Sequence, residues 1–142
     1  MRLAIAFATA LCATTVSAGT TEIDLAKLPS QVVMGVAEVT PLLLSAEGRP
    51  SVVILSLDAD DVVPPHATRS GVRLLTVISG EMSWGDGDTV VEADETIYGP
   101  GSVLTVPAGV RHWLAARNGP VALQLIVLDD ETPVPAMQEQ MQ

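Results

Sequence analysis

Punctuation constrains this chain more than any other feature. From residue 31 onward, short runs rich in Val, Ile and Leu recur at residues 31–39, 51–57, 61–66, 73–78, 81–84, 89–93, 102–106, 110–115 and 121–128. Turn-forming residues stand between them, as in Glu47-Gly48-Arg49-Pro50, Gly85-Asp86-Gly87-Asp88, Gly99-Pro100-Gly101 and Asn118-Gly119-Pro120. Strand-length apolar runs cut by Gly, Pro, Asn and Asp predict an all-β sandwich or barrel. No segment after residue 30 keeps a helical period long enough for a helix, although residues 40–45 suit a helical turn. Ile78-Ser79-Gly80-Glu81 reads as a tight hairpin, with Gly80 in a backbone conformation that side chains resist. Gly85-Asp86-Gly87-Asp88 reads as the next turn. Pro107 lacks an amide donor and belongs at a strand end or edge.

At 142 residues the chain suits one domain with its own core. Hydrophobic residues make up 48% of it and charged residues 17%, which excludes a disordered chain. A net charge of -10 argues against nucleic acid or an anionic membrane surface as the main partner.

The first residues read as an address. Met1-Arg2 is a short basic start, residues 3–16 are apolar or small, and Val16-Ser17-Ala18 supplies small residues at a cleavage position. That is the pattern of a secretory signal peptide. The apolar run falls short of the roughly 20 residues that span a bilayer. Cleavage after Ala18 would remove Cys12, the one cysteine, and with it any disulfide or thiolate chemistry. The expected organisation is a signal peptide at 1–18, a lead-in at 19–30, a barrel at 31–131 and a flexible tail at 132–142. The expected location is the periplasm or the outside of the cell, with no membrane contact after cleavage.

The chain holds two histidines, His66 and His112. His66 ends one strand-like run and His112 lies near the start of another. By strand alternation Val62, Pro64, His66 and Thr68 share one face, and Val110, His112, Leu114 and Ala116 share another. Arg111, Trp113 and Ala115 then point the other way. Two histidines on separate strands of a barrel can meet on a metal ion or a ligand, or stand as structural residues of the pocket wall.

Around these residues the sequence resembles the cupin superfamily. The stretch from His66 to Gly80 resembles the first cupin motif in degenerate form. Gly101, Pro107, Ala108, Gly109 and His112 reproduce the spacing of the second, with Ala116 where the motif has asparagine and Asn118 slightly late. The resemblance covers residues 51–128 and implies a double-stranded β-helix, a jelly-roll barrel. It also implies a divalent transition metal (Fe, Mn, Ni, Cu or Zn) held by three histidines and a glutamate. Here the second histidine position is Thr68 and the glutamate position is Arg73. Threonine is a poor neutral ligand, and a guanidinium has no lone pair and repels a metal.

Three functions follow as expectations. The first is a binding protein, non-catalytic or weakly catalytic, that holds a small anionic molecule with Arg73, His66 and His112, assisted by Thr68 and Gln124. A guanidinium fork suits a carboxylate or phosphate. The alternative for Arg73 is the barrel rim, paired with Asp60, Asp61 or Glu81. The second is a metal-dependent oxygenase, isomerase or lyase, with His66 and His112 as ligands and Glu81 as a weaker third. The third is a homodimeric interaction module with a vestigial pocket. Trp84 and Trp113 are read as packing residues or as stacking surfaces for a ligand. Tyr98 is read as loop packing or a pocket-edge hydroxyl.

Overall fold

The computed structural model describes residues 19–129, 131 and 133–142. The expected signal peptide and its cysteine lie outside the described residues. Ten strands follow in chain order: β1 (Gln31–Val33), β2 (Ala37–Leu44), β3 (Pro50–Leu57), β4 (Val62–His66), β5 (Val72–Ser79), β6 (Met82–Asp86), β7 (Thr96–Tyr98), β8 (Val103–Pro107), β9 (His112–Ala115) and β10 (Val121–Leu128). A short helix, α1 (Pro135–Gln140), comes last.

The strands form two antiparallel sheets. One has six strands in the order β1-β2-β3-β10-β5-β8, and the other four in the order β4-β9-β6-β7. The late strands β9 and β10 insert between early ones, as a jelly roll requires. The core lies between the sheets. Leu57, Leu75, Val77 and Leu123 enter it from the larger sheet, and Val63, Trp84 and Leu114 from the smaller. Period-two alternation decides what enters. On β10, Leu123 and Leu125 line the interior, so Gln124 between them faces outward, opposite Ile54 and Thr76.

Several local expectations are corrected. The run at 31–39 is not one strand. The chain turns at Met34 and Gly35, with φ of 51° and 81°, and β1 folds back on β2. Residues 40–45 hold no helical turn: Thr40 to Leu44 continue β2, with irregular register around Pro41. The run at 89–93 is not a strand but leads into a 3-10 turn at Glu92–Asp94, and the strand comes later as β7. The tail contains α1, opened by Pro135 in its first turn.

Gly80 does not close a hairpin. β5 bonds to β10 and β8, whereas β6 bonds to β9 and β7, so the chain changes sheets there. Gly80 has φ of 77°, and a Cβ on it would lie 2.2 Å from the Pro120 carbonyl oxygen. A hairpin and a sheet-to-sheet corner both demand such a glycine, so local chemistry does not choose between them. Among the described residues no helix is long and apolar enough to cross a membrane.

Candidate functional site

β4 and β9 pair so that His66 stands directly opposite His112. Their ring centroids are 4.4 Å apart at 61°. The register shifts between Val63 and His66, across Pro64 and Pro65. This bulge places Val63 and His66 on the same interior face, correcting the simple alternation that grouped His66 with Val62 and Pro64. β9 is regular, so His112 and Leu114 face inward.

Each histidine is locked by a local bond. The Nδ1 of His66 lies 2.9 Å from the Pro64 carbonyl oxygen, and the Nδ1 of His112 lies 2.9 Å from that of Val110. A carbonyl only accepts, so both Nδ1 atoms carry the hydrogen. The indole of Trp84 stacks on His112 at 4.5 Å and 13°, and its Nε1 donates to Asp86 at 3.0 Å. His112 is buried, and that burial pushes its pKa below the ordinary imidazole value. The hydrogen bond to Val110 opposes this shift, the neighbouring His66 adds to it and Asp86 opposes it.

Both histidines line a cavity of about 130 Å³ together with Thr68 and Arg73. The remaining walls are mostly aliphatic, including Leu55, Leu75, Leu123 and Leu125. Arg73 shares its inward row on β5 with Leu75 and Val77. Its Nη1 donates to the Ser70 carbonyl at 3.2 Å. Among the described residues no carboxylate pairs with it. Asp61 accepts from the backbone of Asp58, and Glu81 accepts from Asn118 at 2.9 Å outside the cavity. The loop before β5 is tied to the loop before β9 by Gly109 N–H to Thr68 O (3.0 Å) and Ala108 N–H to Gly71 O (3.1 Å). The Thr68 Oγ1 is buried and has no hydrogen-bond partner among the described residues.

A family model described as "Cupin" matches residues 25–141. The chain belongs to the cupin family. Its fold matches a predicted oxalate decarboxylase from Thermotoga maritima, with a TM-score of 0.59 and 16% identity over 76% of this chain and 99% of that one. It also matches the polyketide cyclase RemF from Streptomyces resistomycificus, with a TM-score of 0.61 and 13% identity over 81% and 83%. A cupin superfamily protein from Desulfitobacterium hafniense matches with a TM-score of 0.53 and 21% identity over 76% and 100%. At these identities the likeness concerns the fold. Among curated proteins no sequence match was found.

This cupin does not fit the metal centre that the resemblance implies. Among the described residues no three His, Cys, Asp or Glu side chains group to hold an ion. Arg73 enters the same cavity with a permanent positive charge, which opposes a cation. Two site expectations are corrected. Gln124 lies on the outer face of the six-stranded sheet, and Glu81 lies in the turn against Asn118. Neither lines the cavity.

Both tryptophans now have places. Trp84 is a wall of the cavity. Trp113 points away from the cavity and covers Gly85, where an added Cβ would lie 2.0 Å from its ring. Its Nε1 donates to Glu95 at 2.8 Å. Arg111 also points away, donating to the Pro65 carbonyl at 3.0 Å and pairing with Asp88. Tyr98 lines a neighbouring groove beyond Trp84, beside Gln140 and Met141 at the end of α1. Val33, Met34 and Ala37 complete the cavity, with Met34 half exposed at its mouth. Sequence reasoning missed them because it read 31–39 as one strand; Gly35 inside that run was the signal.

Proposed function

We propose that this cupin is exported and holds a small anionic molecule in its barrel pocket, acting as a binder with little or no catalysis. Arg73 carries the proposal. It is a permanently charged side chain on the interior face of a largely aliphatic cavity, with one backbone carbonyl and, among the described residues, no carboxylate as partner. A guanidinium offers five N–H donors, so most remain for a ligand. The basic, apolar and small-residue pattern of residues 1–18 supports export to the periplasm or beyond.

A metal-dependent enzyme would draw on the same two histidines but lacks the other ligands. A homodimeric module would leave the inward Arg73 without a role.

Thermal unfolding of untagged protein with a panel of small carboxylates tests the proposal. Binding to the native state raises the midpoint by mass action, so at least one acid shifts it upward, and Arg73→Gln removes the shift. If no acid shifts the midpoint, or if Arg73→Gln keeps the shift, the proposal fails.

A further inference from the structure

Besides the Thr68 hydroxyl, which can both donate and accept, the polar groups of the cavity are of two opposite kinds. Arg73 only donates hydrogen bonds. The histidines, when neutral, present the reverse. Their Nδ1 hydrogens are committed to the carbonyls of Pro64 and Val110, so each Nε2 is left as a bare lone pair. Burial favours this neutral state at His112.

A simple carboxylate satisfies Arg73, but any further oxygen lacking a hydrogen would set acceptor against acceptor at the histidines. The matching molecule carries an anion and also a hydrogen to donate. Its size is bounded as well. A cavity of about 130 Å³ is close to one that holds benzene, so roughly six non-hydrogen atoms fit inside. The aliphatic walls suit a short carbon body without other polar groups.

We infer that the ligand is a small hydroxy-carboxylic acid, its carboxylate on Arg73 and its hydroxyl donating to Nε2 of His66 or His112. This rests on the anion-binding proposal above and deepens it.

The test is calorimetric titration of untagged wild-type protein near neutral pH with 2-hydroxybutyrate, 3-hydroxybutyrate, 2-oxobutyrate and butyrate. One hydroxy acid is expected to bind at least about tenfold more tightly than butyrate and 2-oxobutyrate, as one added hydrogen bond to an otherwise unpaired acceptor allows. His66→Phe or His112→Phe keeps a ring without the lone pair. One of the two is expected to erase the advantage of the hydroxy acid over butyrate. The ligand series on wild-type protein decides the matter even where a variant fails to fold.

Equal binding of butyrate and the hydroxy acids overturns this inference and leaves the anion proposal standing. Hydroxy-acid binding that requires a stoichiometric metal and disappears with chelator also overturns it, since the hydroxyl would then sit on the metal. If none of the four acids binds up to about 20 mM, a free energy near the weak limit of specific binding, the anion proposal fails with it.

Discussion

Thr68 stands where the cupin pattern has a histidine, and its hydroxyl is buried without a partner among the described residues. An unsatisfied buried hydroxyl costs about 1–3 kcal/mol. Thr68→Val replaces it with a methyl of similar shape, so the ligand-free protein should gain about 1 kcal/mol in a denaturant titration. No gain would mean that the hydroxyl already has a partner. His112 makes a second residue-scale prediction. Burial lowers its folded pKa below the ordinary value of about 6.5, so the unfolded chain takes up a proton first as pH falls. Its contribution to stability is therefore full above about pH 6.5 and is lost as pH falls through the lower, folded value. Unfolding free energies measured across that window should decline in the wild type. His112→Phe should flatten the decline, and an unchanged slope would remove His112 as its source.

The four-stranded sheet is finished on its outer face by a small second cluster. Trp113 lies flat over Gly85, and Glu95 accepts from the Trp113 indole and from Arg117 at 2.7 and 3.1 Å. The Arg117 hydrogen bonds hold the Glu95 carboxyl below the usual carboxylate range, against the effect of desolvation. This clamp fastens the loop between β6 and β7 to β9. Gly85→Ala would drive a Cβ into the indole. Overpacking of this kind costs about 1–3 kcal/mol. The expected readout is a lower melting midpoint with red-shifted tryptophan emission as Trp113 lifts from the sheet. A variant as stable as the parent would show that the ring has room to move. At this scale the sequence was legible where a run was continuous. The run at 121–128 became β10 with the same ends, and the run at 51–57 became all but the first residue of β3. It was less legible where one residue changes a direction. Gly35 divides the run at 31–39, and Gly80 turns a corner between sheets, because a left-handed backbone residue specifies a bend but not the partner beyond it.

For the whole molecule, the N-terminal pattern predicts a chain that begins at Gly19 once exported. Intact-mass measurement of protein recovered from the periplasm or medium checks this, and an unprocessed mass would refute cleavage after Ala18. The all-β class and the spacing around His112 were readable from residue types alone. They depend on composition, on local turn chemistry and on the presence of two histidines in the chain. The tertiary structure decided where side chains point. The bulge at Pro64 and Pro65 aims His66 at His112, and strict alternation on β10 turns Gln124 out. On β5, alternation turns Arg73 in. Each of these is a choice between two faces of a strand, and a one-residue shift reverses it. The sequence by itself determined the kind of barrel and the chemical groups available to it. Only the pairing of strands distant in the chain brought an arginine and two histidines to one cavity, because register is set by partners that no local stretch contains.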